Sequence, residues 1–337
     1  MSFLRNINRR HFLVKVLSVL GAGFFLKWLP SLKNSHAHSG RKSMLVSVHH
    51  DRASDLTDER DNKNLDEQVI KQMLDEGIKS FTGERNLLKA WSKIIPDPAK
   101  RVAIKINCQI QGIYTKSKVV KAVTDGLIQR GVRPDNIVIY DKTDHAFRYA
   151  GFEKNLGPGI KVGTVDDLGG YHRFLFNRMA KLLTGGIPLS ENKYRCDYLI
   201  NVPVLKALEG YSGVSLSMKN HYGSIGNPSH HHKDIMEFLP HLNAQPQIRD
   251  KTRLIVLDAI FVEYKWINGR DQKYVDPLNQ LIISDDPVAI DYTGWKIIDK
   301  KRKEHGLEPV SPAPVFIQTA ADRGLGTTNP RSIHLSL

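Results

Sequence analysis

The chain has 337 residues, 41% of them hydrophobic, a formal net charge of +14 and only two cysteines, Cys108 and Cys196. That length supplies one large domain or two. Two cysteines exclude a Cys-ligated iron–sulfur cluster and a cysteine-rich zinc site, and they allow at most one disulfide. Other metals or cofactors stay unknown. The positive charge favours anions, but no nucleic-acid-binding module accompanies it, so nucleic acid is not an expected partner.

In chain order, residues 1–37 read as an export signal. Arg5, Arg9 and Arg10 precede any acid, and Asn8-Arg9-Arg10-His11-Phe12-Leu13 leads into a modestly apolar stretch, 12–29, interrupted by Lys15 and Lys27. Paired arginines before Phe-Leu and a weak apolar core form the twin-arginine (Tat) pattern, and Ser35-His36-Ala37 offers small residues for cleavage. The expected partner is the Tat translocation machinery and the expected location is the periplasm. The competing reading keeps the segment as a membrane anchor, at a cost of roughly 2.5–3.5 kcal/mol for each lysine near the bilayer centre. The Tat route carries proteins already folded, often with a cofactor inserted. Cleavage removes six Lys or Arg and no acid, leaving +8. The remaining run Lys300-Lys301-Arg302-Lys303 reads as a solvated helix face before it reads as a docking site for an anionic partner or membrane.

Residues 50–66 are polar and read as a surface loop before a helix over 67–79. Apolar runs predict strands at 44–48, 102–106, 136–140, 198–202, 253–260, 280–283 and 314–317. The alternation Val214-Ser215-Leu216-Ser217-Met218 adds a half-buried strand. An amphipathic helix over 117–130, closed by Gly131 and followed by Pro134-Asp135, joins two strands as a right-handed crossover. Another helix fits 286–300, with Pro287 in its first turn. No repeat or low-complexity linker divides the body. The fold class is α/β, a mainly parallel sheet flanked by helices, preceded by the signal peptide.

Polar chemistry concentrates in residues 196–226. The apolar run Tyr198-Leu199-Ile200-Asn201-Val202 is cut by Pro203, Lys206 follows among apolar residues, and Lys219-Asn220-His221-Tyr222-Gly223 ends the stretch. In parallel sheets, ligands collect beyond the carboxyl ends of strands. Lys105 and Asn107 share one face of the 102–106 strand, and Lys105 breaks an otherwise apolar run. Asp141 and Asp144 follow the third strand, Asp258 and Glu263 end the fifth, and Asp285, Asp286 and Asp291 flank the last helix start. Each acid has a plainer reading as a cap or turn residue, and Lys105 as a buried lysine paired with one of them. Three consecutive imidazoles, His230-His231-His232, converge poorly on one ion, so a solvated loop competes with a site joining one of them to His221. Gly324-Leu325-Gly326-Thr327-Thr328-Asn329 is a glycine-rich turn whose amides could face an anion. No zinc-protease helix, nucleophile elbow, Walker loop or dinucleotide fingerprint is present.

Taken together, Val102-Ala103-Ile104-Lys105-Ile106-Asn107, Asp197 to Pro203 with Lys206, Ser217-Met218-Lys219-Asn220-His221-Tyr222-Gly223, Asp286-Pro287-Val288-Ala289-Ile290-Asp291 and Gly324-Leu325-Gly326 resemble the family called domain of unknown function 362. The resemblance spans about 44–335 and implies a single α/β domain. Its most specific parts are the Lys-Asn-x-x-Gly and Asp-Pro-Val-Ala-x-Asp patterns. It also implies frequent export. Some members carry a ferredoxin-like module with cysteine clusters, which this chain lacks. Members commonly place Lys-x-His after the proline, where this chain has Lys206-Ala207-Leu208, leaving His221 to supply an imidazole.

Two expectations follow. In the first, a cofactor-dependent enzyme acts on a small anionic substrate in a cleft at the strand ends. Lys105, Lys206 and Lys219 supply positive charge or a nucleophilic amine, and His221 serves as acid/base. Asn107 and Asn220 bind ligand, and Asp258 and Asp286 orient the lysines or hold a metal. In the second, a non-catalytic periplasmic protein binds an anion or metal in the same cleft.

Overall fold

The structure, a computed structural model, describes residues 43–55, 64–108, 113–145, 147–184, 193–266 and 272–337. The export signal read over 1–37, and its apolar stretch, lie outside the described residues. In chain order the strands are β1 (Met44–His49), β2 (Val102–Ile106), β3 (Ile137–Asp141), β4 (Lys161–Thr164), β5 (Tyr198–Val202), β6 (Val204–Leu208), β7 (Gly213–Ser215), β8 (Thr252–Glu263), β9 (Val275–Ser284) and β10 (Arg331–Ser336). The helices are α1 (Glu67–Thr82), α2 (Leu87–Ile94), α3 (Ser117–Gln129), α4 (Ser217–Asn220), α5 (Ile235–Asn243), α6 (Pro246–Arg249), α7 (Pro287–Glu304) and α8 (Phe316–Asp322).

Local chemistry accounts for the longer helices. Asp66 accepts from the amides of Gln68 and Val69 to start α1, and Gly83 at φ 70° ends it. The α1 stripe Val69, Ile70, Met73, Leu74, Ile78 and Phe81 is buried against the sheet. A Cβ on Gly126 of α3 would lie 2.3 Å from the Trp91 ring, so glycine is what lets α2 and α3 approach. Asp286 starts α7 by accepting from Val288 and Ala289, with Pro287 at the first helical position.

The strands form one ten-stranded sheet, ordered β10-β1-β9-β8-β5-β2-β3-β4, with β6 beside β8 and β7 beside β6. Pairings are parallel except where β9 meets β1 and β8 and where β7 meets β6. The mainly parallel, helix-flanked sheet predicted from apolar runs is therefore present. Period-two alternation sends Val102, Ile104 and Ile106 into one apolar layer and Ala103 into the other. Both layers belong to one compact unit, Lys42–Leu337. No helix among the described residues is long and apolar enough to cross a membrane.

Several elements differ from expectation. Residues 314–317 are not a strand. Pro312 and Pro314 remove ladder donors, and Phe316 and Ile317 start α8 instead, where they are buried. The 214–218 alternation is split, because β7 stops at Ser215 and α4 starts at Ser217. Pro203 ends β5 as expected, yet Val204 opens β6 at once, since the Pro203 carbonyl accepts from Asp258 (2.9 Å) and leads the chain alongside β8. Cys108 and Cys196 are both buried and free. The register Val102↔Tyr198 and Ile106↔Val202 puts them at opposite ends of neighbouring strands, roughly 26 Å apart along the sheet, beyond reach of a disulfide.

Candidate functional site

Two strand ends create the centre of the site. Lys105, the single polar side chain within β2, is 1% exposed and donates to Asp141 Oδ1 at 2.7 Å, to Asn220 Oδ1 at 3.1 Å and to the Ile106 carbonyl. Those bonds use all three donors of the ammonium. Asp141 is equally satisfied, accepting from the amides of Cys108 (2.6 Å) and Lys142 (2.7 Å). Such a buried pair holds its geometry because removing either partner strands a charge, at about 3–5 kcal/mol.

The segment facing this pair is tied in by a relay. Asn220 Nδ2 donates to Asn201 Oδ1 (2.7 Å), and Asn201 Nδ2 donates to the Ser217 carbonyl (3.0 Å). Asp291 of α7 accepts from the amides of Ser217 (2.7 Å) and Met218 (3.1 Å). Burial pushes the Asp291 carboxyl up to about 8, against the pull of those two donors. Gly223 completes the Lys-Asn-x-x-Gly pattern for a steric reason. A Cβ there would sit 2.5 Å from Asp141 Oδ1 and 2.7 Å from Lys105 Cε, so only glycine lets the loop close on the ion pair.

Between these parts lies a cavity of about 370 Å³. Lys105, Asn107, Asp141 and Lys142 line it from the strand ends; Ser215, Lys219, Asn220, Tyr222 and His232 line it from the facing segment. Lys219 is the unusual member. It is 6% exposed, its Nζ stands 3.6 Å from the centre of the Tyr222 ring, and among the described residues it has no hydrogen bond or carboxylate partner. Burial, then the charges of Lys206 and Lys105, brings its ammonium down to about 7. Burial also lowers Lys142, whose Nζ donates to the carbonyl of Gly226 (3.1 Å) and stands 4.7 Å from the Tyr171 ring centre. His232 stacks on Tyr222, with its pKa lowered by burial and then by Lys219.

The other predicted residues sit outside this lining. Lys206 is fully buried on β6, donates to Asn107 Oδ1 (3.2 Å) and the Ile113 carbonyl (3.3 Å), and is lowered by burial against the charge of Glu263. It reaches the cavity only through Asn107. His221 is 2% exposed, with Nδ1 3.4 Å from Ser224 Oγ. Burial, then Lys105, pushes its pKa down to about 3, so the ring is neutral across the physiological range rather than titrating near neutrality. Asp258 accepts from the amides of Lys116 (2.8 Å) and Ile260 (3.3 Å), and Asp286 from Val288, Ala289 and Thr327; burial raises both carboxyls. Neither carboxylate bonds Lys105, Lys206 or Lys219, the lysines they were expected to orient.

The glycine-rich turn near the C-terminus does face an anion, but an internal one. Thr327 N donates to Asp286 Oδ2 (2.9 Å), and a Cβ on Gly326 would lie 1.8 Å from Asp286 Oδ1. Two of the three imidazoles diverge: His231 stacks on Phe238 at 3.7 Å and contacts Asn177, whereas His232 turns to Tyr211 and Tyr222. Among the described residues no group of three or more His, Cys, Asp or Glu side chains is arranged to hold a metal.

Sequence reasoning missed Lys142 as a lining residue; it had Tyr222 within the dense polar segment, His232 within the run that competes between a solvated loop and a site with His221, and Asp141 as either a cap or a partner of Lys105. Asp141-Lys142 at the end of an apolar run was a usable signal. No curated protein and no solved structure matches the chain. The family described as domain of unknown function (DUF362) matches residues 102–296, a stretch that opens at β2, contains every residue lining the cavity and closes inside α7, and the chain belongs to that family.

Proposed function

We propose that this is an exported protein that captures a small anionic molecule in the Lys105–Lys219 cavity, with Lys219 as the group that meets it, and that the capture serves a reaction at the Lys219 amine. The observation that carries the reading is the contrast between two buried lysines. Lys105 has Asp141 and a full set of acceptors, whereas Lys219 has none among the described residues. A buried ammonium without a counter-ion is costly, and an anionic ligand relieves that cost. An amine titrating near 7 is also part neutral at working pH, which suits a nucleophile or a proton acceptor. Lys142 adds a second cation, and the amides of Asn107 and Asn220 add orienting dipoles. Export rests on the paired Arg9 and Arg10 before a weak apolar stretch.

The test is native mass spectrometry of protein recovered from the exported fraction, wild type beside Lys219→Met. A stoichiometric small anion on the wild type and absent from the variant is the expected result. Treatment with borohydride before analysis tests the nucleophile role: a mass increment fixed to Lys219 marks an imine formed with a carbonyl-bearing anion with loss of water, and a freely dissociating ligand marks proton transfer or non-catalytic binding. Identical ligand content in both proteins removes Lys219 from the site. An Arg9→Lys, Arg10→Lys variant exported as well as the parent removes the Tat assignment.

A further inference from the structure

The opposite edge of the sheet carries a second basic basin. β5, β2 and β3 are neighbours and run parallel, so their amino ends share one edge. Each is preceded by an arginine: Arg195 before β5, Arg101 immediately before β2 and Arg133 before β3. Among the described residues, these three and Lys100 line a cavity of about 440 Å³ in which Asp197 is the one acid. That carboxylate is already engaged, since its Oδ2 accepts from the Arg101 amide at 3.1 Å.

The basin is built on pinned backbone. The Arg101 carbonyl accepts from the amides of Asp197 (2.9 Å) and Tyr198 (3.1 Å), and Asn136 Nδ2 ties the β3 entry to the Ala99 carbonyl (3.0 Å). Among the described residues, Arg101 Nη1 is buried and has no hydrogen-bond partner. A charged donor left in that state is unfavourable and marks the place of a missing acceptor. Cationic side chains lining one cavity at the entries of three strands suit a multiply charged oxyanion, and the Arg101 guanidinium presents a fork that matches two oxygens of such a group.

We propose that this basin is a binding site for a phosphate-bearing anion, separate from the Lys219 cavity at the other end of the strands. The phosphate comes either from a free small molecule or from an anionic lipid headgroup; β1 also starts on this edge, as its pairing through β9 and β8 requires.

The test uses the full chain carrying Lys219→Met, so that the other cavity does not report. Inorganic pyrophosphate is titrated by calorimetry, and co-sedimentation is measured with vesicles of phosphatidylcholine alone or mixed with phosphatidylglycerol. Arg133→Ala removes charge; Arg101→Lys keeps charge but removes the fork. Each is expected to weaken binding about ten-fold, the loss of one charge-assisted contact, while a Lys300→Ala, Lys303→Ala pair on α7 changes little. Arginine-dependent pyrophosphate binding identifies a free anion as the source, and arginine-dependent binding to phosphatidylglycerol vesicles alone identifies the lipid. Absence of saturable binding to both probes overturns the proposal, as does binding that survives the arginine variants. Far-UV circular dichroism of each variant separates lost contacts from lost fold.

Discussion

Lys105 and Lys219 line the same cavity, and their surroundings give them opposite characters. Every donor of Lys105 is matched, so its charge is a fixed part of the scaffold. Among the described residues Lys219 has only the face of Tyr222, and its proton is weakly held. The unfolded chain keeps that proton to the ordinary value of 10.5, and the folded chain only to about 7. Between those values the unfolded state binds more protons, so this residue makes stability rise with pH, by at most about 1.4 kcal/mol per pH unit. Lys219→Met abolishes that contribution. The variant should be the more stable protein at and below pH 7, and the gap should close as pH climbs toward 10.5. Asp291, raised to about 8 from 3.8, makes stability fall with rising pH in its own window, but it is common to both proteins and cancels in the comparison. Urea unfolding of the pair across this range provides the measurement, and a pH-independent difference would show that Lys219 is not perturbed as described.

At the scale of elements, the site is held by carboxylates at helix starts rather than by the helices' own propensity. α4 is a single turn that Asp291 anchors from α7, and α7 is itself started by Asp286. The Asp-Pro-Val-Ala-x-Asp pattern thus supplies both caps, one for its own helix and one for the turn that presents Lys219. The pattern was legible in the sequence; its partner was not. Ser217 and Asp291 are 74 residues apart, and no periodicity reports a contact of that kind. The same limit applied to β6, where a lysine among apolar residues after a proline gave no sign of a strand, and to 314–317, where a short apolar run fits either class. Gly326 offers a sharp test of the cap. In Gly326→Ala the new methyl group must displace the Asp286 carboxylate, with loss of its bonds to Val288, Ala289 and Thr327. We expect a loss of roughly 2–4 kcal/mol for a cap plus a stranded buried amide. Gly83→Ala, where nothing lies within 4 Å and only the backbone at φ 70° is strained, should cost about 1–2 kcal/mol. Chemical denaturation ranks the two, and equal costs would refute the steric account.

Across the whole molecule, legibility follows burial. Strands covered on both faces, such as β2, β3 and β5, wrote themselves as apolar runs, and Lys105 stood out because it interrupted one. The edge strand β10 escaped because its residues alternate between exposed and half-buried, and nothing in Arg331-Ser332-Ile333-His334-Leu335-Ser336 forms a run. That strand pairs with β1 alone, from Met44↔Arg331 to His49↔Ser336, and its Ile333 and Leu335 pack on the core layer below. Removing residues 331–337 should therefore cost roughly 2–4 kcal/mol, two half-buried side chains plus a ladder. It should also leave β1 as an unpaired edge able to recruit a second chain. The Lys219 cavity lies on the far side of β9, β8 and β5 in the strand order, so its occupancy should not change. Thermal unfolding with size-exclusion chromatography at several protein concentrations checks the first two outcomes, and native mass spectrometry checks the third. Loss of cavity occupancy in a folded, monomeric truncation would mean that the sheet transmits strain from its edge to the strand ends, against the independence that its layered packing implies.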